Sequence, residues 1–319
     1  MNELVTIFGG SGFLGRYAVR ALAKQGYRIR VAVRQPNLAN YLPPMGRVGQ
    51  IQLLRTNVTN LDAVAAAVHG AAAVINLVGV LHESGRQRFA ALHSDAAGHV
   101  ARAAKAAGAQ SFVHMSSAGV DVNSDSSYAR TKADGERLVR EAFPEASILR
   151  PSIVFGPEDN FFNRFAAMAT VSPVLPLIGG GRTRFQPVYV GDVAAAIETC
   201  VRDTSTRGKT FELGGPTLYT FRQLMELTLH ETRRRCWLVP LPFSLAAFQA
   251  KFLQFLPNAP LTPDQVRLLK HDNIVAAGAQ TLADLSIEPE TVEAVLPAYL
   301  WRFRREGQYS GPTERIGAV

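Results

Sequence analysis

The sequence predicts an α/β protein in which a doubly wound parallel sheet is joined to a smaller C-terminal lobe. Three observations predict it. Strand-like apolar runs alternate with helical patterns through about the first 200 residues, a glycine-rich turn separates the first strand from the first helix, and the rhythm loosens from about Pro151. Alternation of this kind buries both faces of a sheet when its strands run parallel and its crossovers are helical.

The elements follow in order. Strands are predicted at Leu4–Phe8, 29–33, 51–54, 73–78, Ser111–Met115 and 147–149, and helices at 13–25, Leu61–Val68, 86–107 and Ser127–Ala142. Gly26 and Gly108 stand just past two of these helices, where a left-handed cap favours glycine. Residues 64–81 carry no charge and approach the length of a membrane span. Their alanines, His69, Gly70 and Asn76 divide them instead into a buried helix and a strand. Beyond Pro151 turn-rich pieces alternate with helices at 192–201 and 220–231, and the Phe-, Leu- and Pro-rich section past Arg235 does not read as part of the sheet. The predicted organisation is therefore 1–150 as nucleotide-binding domain, 151–235 as a second lobe interleaved with it, and 236–319 as an apolar docking segment and tail.

Composition limits the functional classes. With 47% hydrophobic and 19% charged residues the chain is an ordinary folded one. No secretory signal is expected from Met1-Asn2-Glu3, and Cys200 and Cys236 form neither a disulfide framework nor a metal site, which suits a reducing cytoplasm. The formal charge of +8 is concentrated: Arg16, Arg20, Lys24, Arg28, Arg30, Arg34, Arg47 and Arg55 precede residue 60, with Glu3 the only acid among them. That suits a ligand with several phosphates, or a solvated cationic face. Nucleic acid is not expected, because no basic and aromatic interleaving appears.

The strongest motif is Gly9-Gly10-Ser11-Gly12-Phe13-Leu14-Gly15, between a strand and a helix. Gly9 permits the tight turn, Gly12 lets backbone N–H groups approach a pyrophosphate, and Gly15 lets helix and strand pack closely. In that context the motif is a dinucleotide-binding, Rossmann-type signature. The second strand ends in Val33-Arg34, where NAD-selective proteins place an acid on the ribose. Arginine cannot accept those hydrogen bonds but pairs with a 2′-phosphate, so the expected cofactor is NADP(H), with NAD(H) the poorer fit.

The glycine spacing resembles the extended and atypical branches of the short-chain dehydrogenase/reductase superfamily. Tyr128-Ala129-Arg130-Thr131-Lys132 matches its YxxxK pair, with both side chains on one helix face. The resemblance implies that Tyr128 is a general acid/base, that Lys132 holds the nicotinamide ribose and lowers the tyrosine pKa, and that Ser117 orients the substrate oxygen. It also implies cofactor contacts from Asn57 (adenine), from Leu77, Val78 and Gly79, from Ser116, and from Pro151 and Ile153 in Arg150-Pro151-Ser152-Ile153-Val154-Phe155-Gly156-Pro157. His93 departs from the asparagine that relatives use, and reads as a packed or hydrogen-bonded histidine. Asp192, in the segment from Gln186 to Val193, is expected to cap the following helix.

A narrower resemblance covers nearly the whole chain. Gly179-Gly180-Gly181-Arg182-Thr183-Arg184-Phe185-Gln186-Pro187-Val188-Tyr189-Val190, Glu212-Leu213-Gly214-Gly215-Pro216, Leu261-Thr262-Pro263-Asp264-Gln265-Val266-Arg267 with Asp272-Asn273, and Leu296-Pro297-Ala298-Tyr299-Leu300 are similar to the nucleotide-binding accessory subunits of respiratory complex I and their bacterial relatives. This implies NADPH held as a structural cofactor, complex I-type subunits as partners, and a peripheral place on the cytoplasmic face of a bacterial inner membrane. Residues 243–256 fit such a place on their own physics. Phe243, Leu245, Phe248, Phe252, Leu253, Phe255 and Leu256 form a wide apolar surface after Trp237 and Arg233-Arg234-Arg235. The other reading is that this segment completes the second lobe. The leading expectation is an accessory or assembly subunit. Its rivals are a free NADP(H)-dependent reductase, dehydrogenase or epimerase acting on an apolar ketone, sterol-like or quinone-related substrate, and an NADPH sensor.

Overall fold

The computed structural model describes residues 3–85, 87–255 and 261–307. Six strands, β1 (Leu4–Phe8), β2 (Arg28–Val33), β3 (Ile51–Arg55), β4 (Ala73–Asn76), β5 (Ser111–Met115) and β6 (Ser147–Pro151), lie parallel. The short strands β7 (Val154–Phe155), β8 (Val174–Ile178), β9 (Arg184–Phe185) and β10 (Val188–Tyr189) leave this sheet. The next, β11 (Thr210–Leu213), returns to its edge beside β6, giving the order β11-β6-β5-β4-β1-β2-β3. The order reverses between β1 and β4, the switch point where open α/β sheets bind ligands.

Apolar stripes decide the layers. One face is covered by α1 (Phe13–Lys24), through Ala18, Val19 and Leu22, together with a helix from the second half of the chain, through Val193, Ala196 and Ile197. The other is covered by α2 (Leu61–Val68), α3 (Ala96–Ala106) and α4 (Ser127–Ala142), through Val64, Val68, Val100 and Val139. Each fully buried Val, Leu or Ile contributes roughly 1.5–3 kcal/mol to this arrangement. Gly26 and Gly108 have the expected left-handed backbone, with φ of 87° and 75°. Arg30 donates to the carbonyls of Ala67 and His69 at the end of α2, so it is a cap and not part of a phosphate-binding face.

The second lobe comprises α5 (Phe162–Val171), the parallel pair β7–β10, α6 (Val190–Arg202, the helix on the main sheet), β12 (Tyr219–Thr220) paired with β9, and α7 (Phe221–Thr232). Phe155, Phe162, Phe221 and Leu224 form its core, which Leu296 and Leu300 join from the C-terminal section. β13 (Trp237–Leu241) pairs with β8, and α8 (Phe243–Leu253) packs on α9 (Pro263–Leu268) around Ile178, Ala246, Ala250 and Val266.

Several expectations are corrected. The predicted helix 86–107 begins with a π-helical segment, Ala90–Asp95, before α3; Arg86 lies outside the described residues. The cause is close approach to α4, where a Cβ on Gly135 would stand 2.0 Å from the His93 carbonyl oxygen. Strand β4 stops at Asn76, whose side-chain oxygen accepts from the Val78 N–H and turns the chain away. Asp192 does not cap α6, which begins two residues earlier; it accepts from the Glu290 N–H and so tethers the C-terminal section. That section is also less separate than predicted. Leu282 and Leu285 enter the main core, and Gln280 accepts from the Glu212 N–H at the sheet edge.

Candidate functional site

The glycine turn forms as its sequence requires. Gly9 has a φ of 78°, and the Gly12 N–H donates to the Gly9 carbonyl at 3.0 Å. A Cβ on Gly15 would stand 2.4 Å from that same carbonyl oxygen, so only glycine lets α1 start this close to β1. Ser11, Phe13 and Leu14 lie in the turn and first helical residues, and no side chain caps α1. Its amide groups are thus left to a ligand at the switch point. Leu77 and Val78 face this turn from the end of β4, where the Leu77 carbonyl would lie 3.1 Å from a Cβ on Gly9, whereas a Cβ on Gly79 would stand 3.4 Å from the Lys132 Nζ. Tyr41 donates to the Ser11 carbonyl, and the Arg16 guanidinium stacks on the Tyr41 ring. Arg16 and Tyr17 both reach Glu158 of the second lobe.

Arg34 lines a cleft of about 590 Å³ with Gln35, Pro36, Asn37, Leu38 and Arg55. Arg55 belongs to the site although sequence reasoning counted it only among the basic residues. The signal was available in the pairing of β2 with β3, which sets Val33 opposite Arg55 and so brings Arg34 beside it. Among the described residues no carboxylate lines the cleft, so its lining is net positive. Asn57 is exposed at the end of β3, and its side-chain oxygen accepts from the Thr59 N–H.

The structure brings Ser117, Tyr128, Lys132 and His93 together. Ser117 lies within hydrogen-bonding reach of the Tyr128 phenol. Neighbouring Ser116 is buried, with a hydroxyl that has no partner among the described residues. His93 stacks on Phe89 and meets Tyr128 edge to face at 5.2 Å. The His93 Nε2 accepts from the Val80 N–H at 3.0 Å, which confirms a buried, hydrogen-bonded histidine. Burial, then the nearby Lys132 charge, lowers its pKa to about 3.

One expectation fails here. Lys132 is buried and donates to the Met115 carbonyl at 2.9 Å, and burial lowers its own pKa to about 8. Tyr128 is not lowered. Desolvation under Phe89 and His93 pushes its phenol above the ordinary value, and the contact with Ser117 offsets only part of that. As arranged, the pair favours a neutral tyrosine.

The C-terminal section is tied to the elements that carry the site. Asp264 of α9 accepts from Ser126 Oγ and from the Ser127 and Tyr128 N–H groups, sealing the amino end of α4. Asn273 donates to the Ala118 carbonyl and accepts from Ser152, joining the segment after Ser117 to the one after Pro151. Ile153 lies between these ties and β7, half-buried against the second-lobe core. Behind them Arg150 grips Glu136 with two hydrogen bonds and reaches Glu212, bracing α4 on the sheet.

Helix α8 turns Ala246 and Ala250 inward and keeps Phe243 half-buried beside Gly179, while Phe248 and Phe252, with Phe255 just past the helix, stand in solvent. Phe248 is 59% exposed, Phe252 64% and Phe255 82%, beside Trp237 at 77% on β13. The segment therefore does not merely complete the second lobe; Leu256 lies outside the described residues. No helix among the described residues is long and apolar enough to cross a membrane.

The doubly wound sheet, the glycine turn and the Tyr/Lys helix define a nicotinamide-dinucleotide-binding protein. The chain belongs to the NAD dependent epimerase/dehydratase family, whose model matches residues 5–214. It is 35% identical over 322 residues to the mitochondrial NADH dehydrogenase [ubiquinone] 1 alpha subcomplex subunit 9 of Arabidopsis thaliana, covering 97% of this chain and 80% of that one. It is 30% identical to the mitochondrial NADH-ubiquinone oxidoreductase 40 kDa subunit of Neurospora crassa, covering 98% and 82%. Among solved structures, the dTDP-glucose 4,6-dehydratase of Streptomyces venezuelae with NAD bound shares the fold, with a TM-score of 0.72 at 17% identity over 95% of this chain and 97% of that one.

Proposed function

We propose that this protein is an NADP(H)-binding accessory subunit of a complex I-type NADH:quinone oxidoreductase, held peripherally at the membrane surface. The observation that carries the reading is the likeness to mitochondrial subunits of that enzyme over nearly the whole chain, including the C-terminal section that the family model leaves out. In this reading residues 1–150 hold the nucleotide, and α6 and β11 of the interleaved second lobe complete their layers. Residues 151–235 form the second lobe, and 236–319 strap the site and dock the protein.

The residues present fit the dinucleotide. A Cβ at Gly15 would strike the backbone of Gly9 and Gly10, so glycine there keeps the turn against the uncapped start of α1; the Ser116 hydroxyl, unpartnered among the described residues, stands at the strand end, and the Arg34–Arg55 cleft suits a 2′-phosphate. That cleft supports NADP(H) over NAD(H). Bound there, the group would supply a hydride; this chain's own residues are set to hold it. Lys132 is engaged by Met115, Tyr128 is kept neutral, and Asp264 and Asn273 tie the C-terminal section to the amino end of α4 and to the segment after Ser117. The exposed face of α8 supports docking on the cytoplasmic surface of a bacterial inner membrane, beside the subunits of the complex.

The meeting of Ser117, Tyr128 and Lys132 on one site favours a second reading, an NADP(H)-dependent reductase. Native electrophoresis of gently solubilised membranes from the protein's own cell separates the two. The subunit reading expects comigration with NADH:quinone oxidoreductase activity; migration of the whole pool at the mass of a single chain would overturn it.

A further inference from the structure

The loop that follows β8 makes a second basic cleft, far in sequence from the nucleotide turn. Gly180, Gly181, Arg182, Thr220, Arg222 and Pro240 line about 470 Å³ at the junction of β8, α7 and β13. We propose that this cleft binds the phosphodiester headgroup of an anionic phospholipid. The proposal rests on the reading that α8 docks at a membrane surface, and names the ligand there.

Its lining has the chemistry of an anion site. Arg182 and Arg222 contribute two guanidinia, and no lining residue is acidic. The nearest carboxylate partner, Glu226, reaches Arg222 only at 3.9 Å, with both side chains substantially exposed. Such a contact leaves the guanidinium free to take a phosphate. Gly179, Gly180 and Gly181 all have left-handed φ, and Arg182 follows in the right-handed region. Successive residues of opposite hand turn backbone N–H groups into an anion-binding concavity. Side chains hold that turn in place. A Cβ on Gly179 would stand 2.2 Å from the Phe243 ring, and one on Gly181 would stand 3.1 Å from Arg222 Cβ.

What lies beside the cleft selects a lipid over a free anion or a protein. Pro240 of its wall belongs to the strand that exposes Trp237 and Val239, and Phe243 begins the helix that exposes Leu245, Phe248 and Phe252. Arg235 and Lys251 are exposed, just before β13 and within α8. Two cations in a concave site next to unpartnered aromatic and aliphatic side chains match an amphiphile, whose charged head and acyl chain meet at that boundary.

Flotation of the full chain with vesicles tests this. Vesicles of phosphatidylcholine alone are compared with vesicles containing about one third phosphatidylglycerol, at fixed ionic strength. The wild type should partition at least about tenfold better into the anionic vesicles. Arg182→Gln with Arg222→Gln should abolish that preference. Arg235→Gln with Lys251→Gln removes the same formal charge outside the cleft and should leave most of the preference, against roughly fivefold per residue for diffuse attraction. Equal losses in the two double variants, or none in the first, would overturn the headgroup site while leaving docking intact. Phe248→Ser with Phe252→Ser should abolish binding to both vesicle types. Failure of the wild type to bind any vesicle would overturn the docking reading and the headgroup site with it. Inorganic phosphate that binds the cleft without vesicle partition would assign it to a soluble anion instead.

Discussion

Asp264 Oδ2 accepts a hydrogen bond from Ser126 Oγ at 2.8 Å, so the C-terminal section closes the amino end of the helix that carries Tyr128 and Lys132. The same carboxylate takes the Ser127 and Tyr128 N–H groups at 2.7 and 3.0 Å. Two backbone donors that a helix leaves open are thus satisfied from 136 residues away, by an element packed directly against the docking helix.

Asp264→Ala should therefore destabilise the protein. Loss of a helix-capping side chain costs about 0.5–2 kcal/mol, which lowers the melting temperature by roughly 1–3 °C in a chain of this size. Differential scanning calorimetry checks it. An unchanged melting temperature would show that water replaces the carboxylate at no cost.

Cofactor choice is assigned to Arg34 and Arg55. Replacing both by glutamine should weaken NADPH binding by roughly ten- to a hundredfold for each charge-assisted hydrogen bond removed, and leave NADH binding nearly unchanged. Isothermal titration of both nucleotides reads the difference. Equal affinity of the wild type for the two would remove the 2′-phosphate assignment.

The buried histidines make a pH prediction. His93 and His114 are each lowered to about 3 by burial and by the Lys132 charge, whereas an unfolded histidine takes a proton near 6.5. Between those values the unfolded chain binds more protons than the folded one, so stability falls as pH drops below 6.5. The slope is at most about 1.4 kcal/mol per pH unit for each histidine. His93→Asn should remove about half of that slope in denaturant melts between about pH 4.5 and 7. Lys132, lowered to about 8, acts at the other end: stability gains as pH rises from about 8 towards 10.5. A flat acid profile for the wild type would contradict the burial of both histidines.

The sheet was legible because its signals are local. Strands β1 and β5 and helices α2 and α4 have the bounds that their apolar runs and breakers predict. What escaped depends on residues distant in sequence. Thr210–Leu213 is a short run whose place beside β6 comes from pairing, not composition. The π-helical start before α3 follows from the contact of Gly135 with His93. Asp264 and Asn273 read as polar residues of a C-terminal motif, and their bonds to Ser126 and Ala118 exist only once the chain has folded back. Tyr128 and Lys132 were legible as a pair. Their electrostatics were not, since the Met115 carbonyl and the Phe89 and His93 rings decide them.

The choice between structural cofactor and catalyst also yields to a variant. Any carbonyl reduction driven by NADPH should fall by at least about a hundredfold in Tyr128→Phe, with nucleotide binding preserved. Full activity in that variant would move the chemistry away from this helix.

The central claim is that the protein holds NADPH as a lasting part of a respiratory complex. The most direct measurement isolates that complex through this chain and quantifies the nucleotide released on denaturation, before and after sustained oxidation of NADH by quinone. The predicted result is a single NADPH per copy of the chain, undiminished and still reduced after turnover. A chain that isolates alone, or whose NADPH is oxidised and exchanged during turnover, would contradict it.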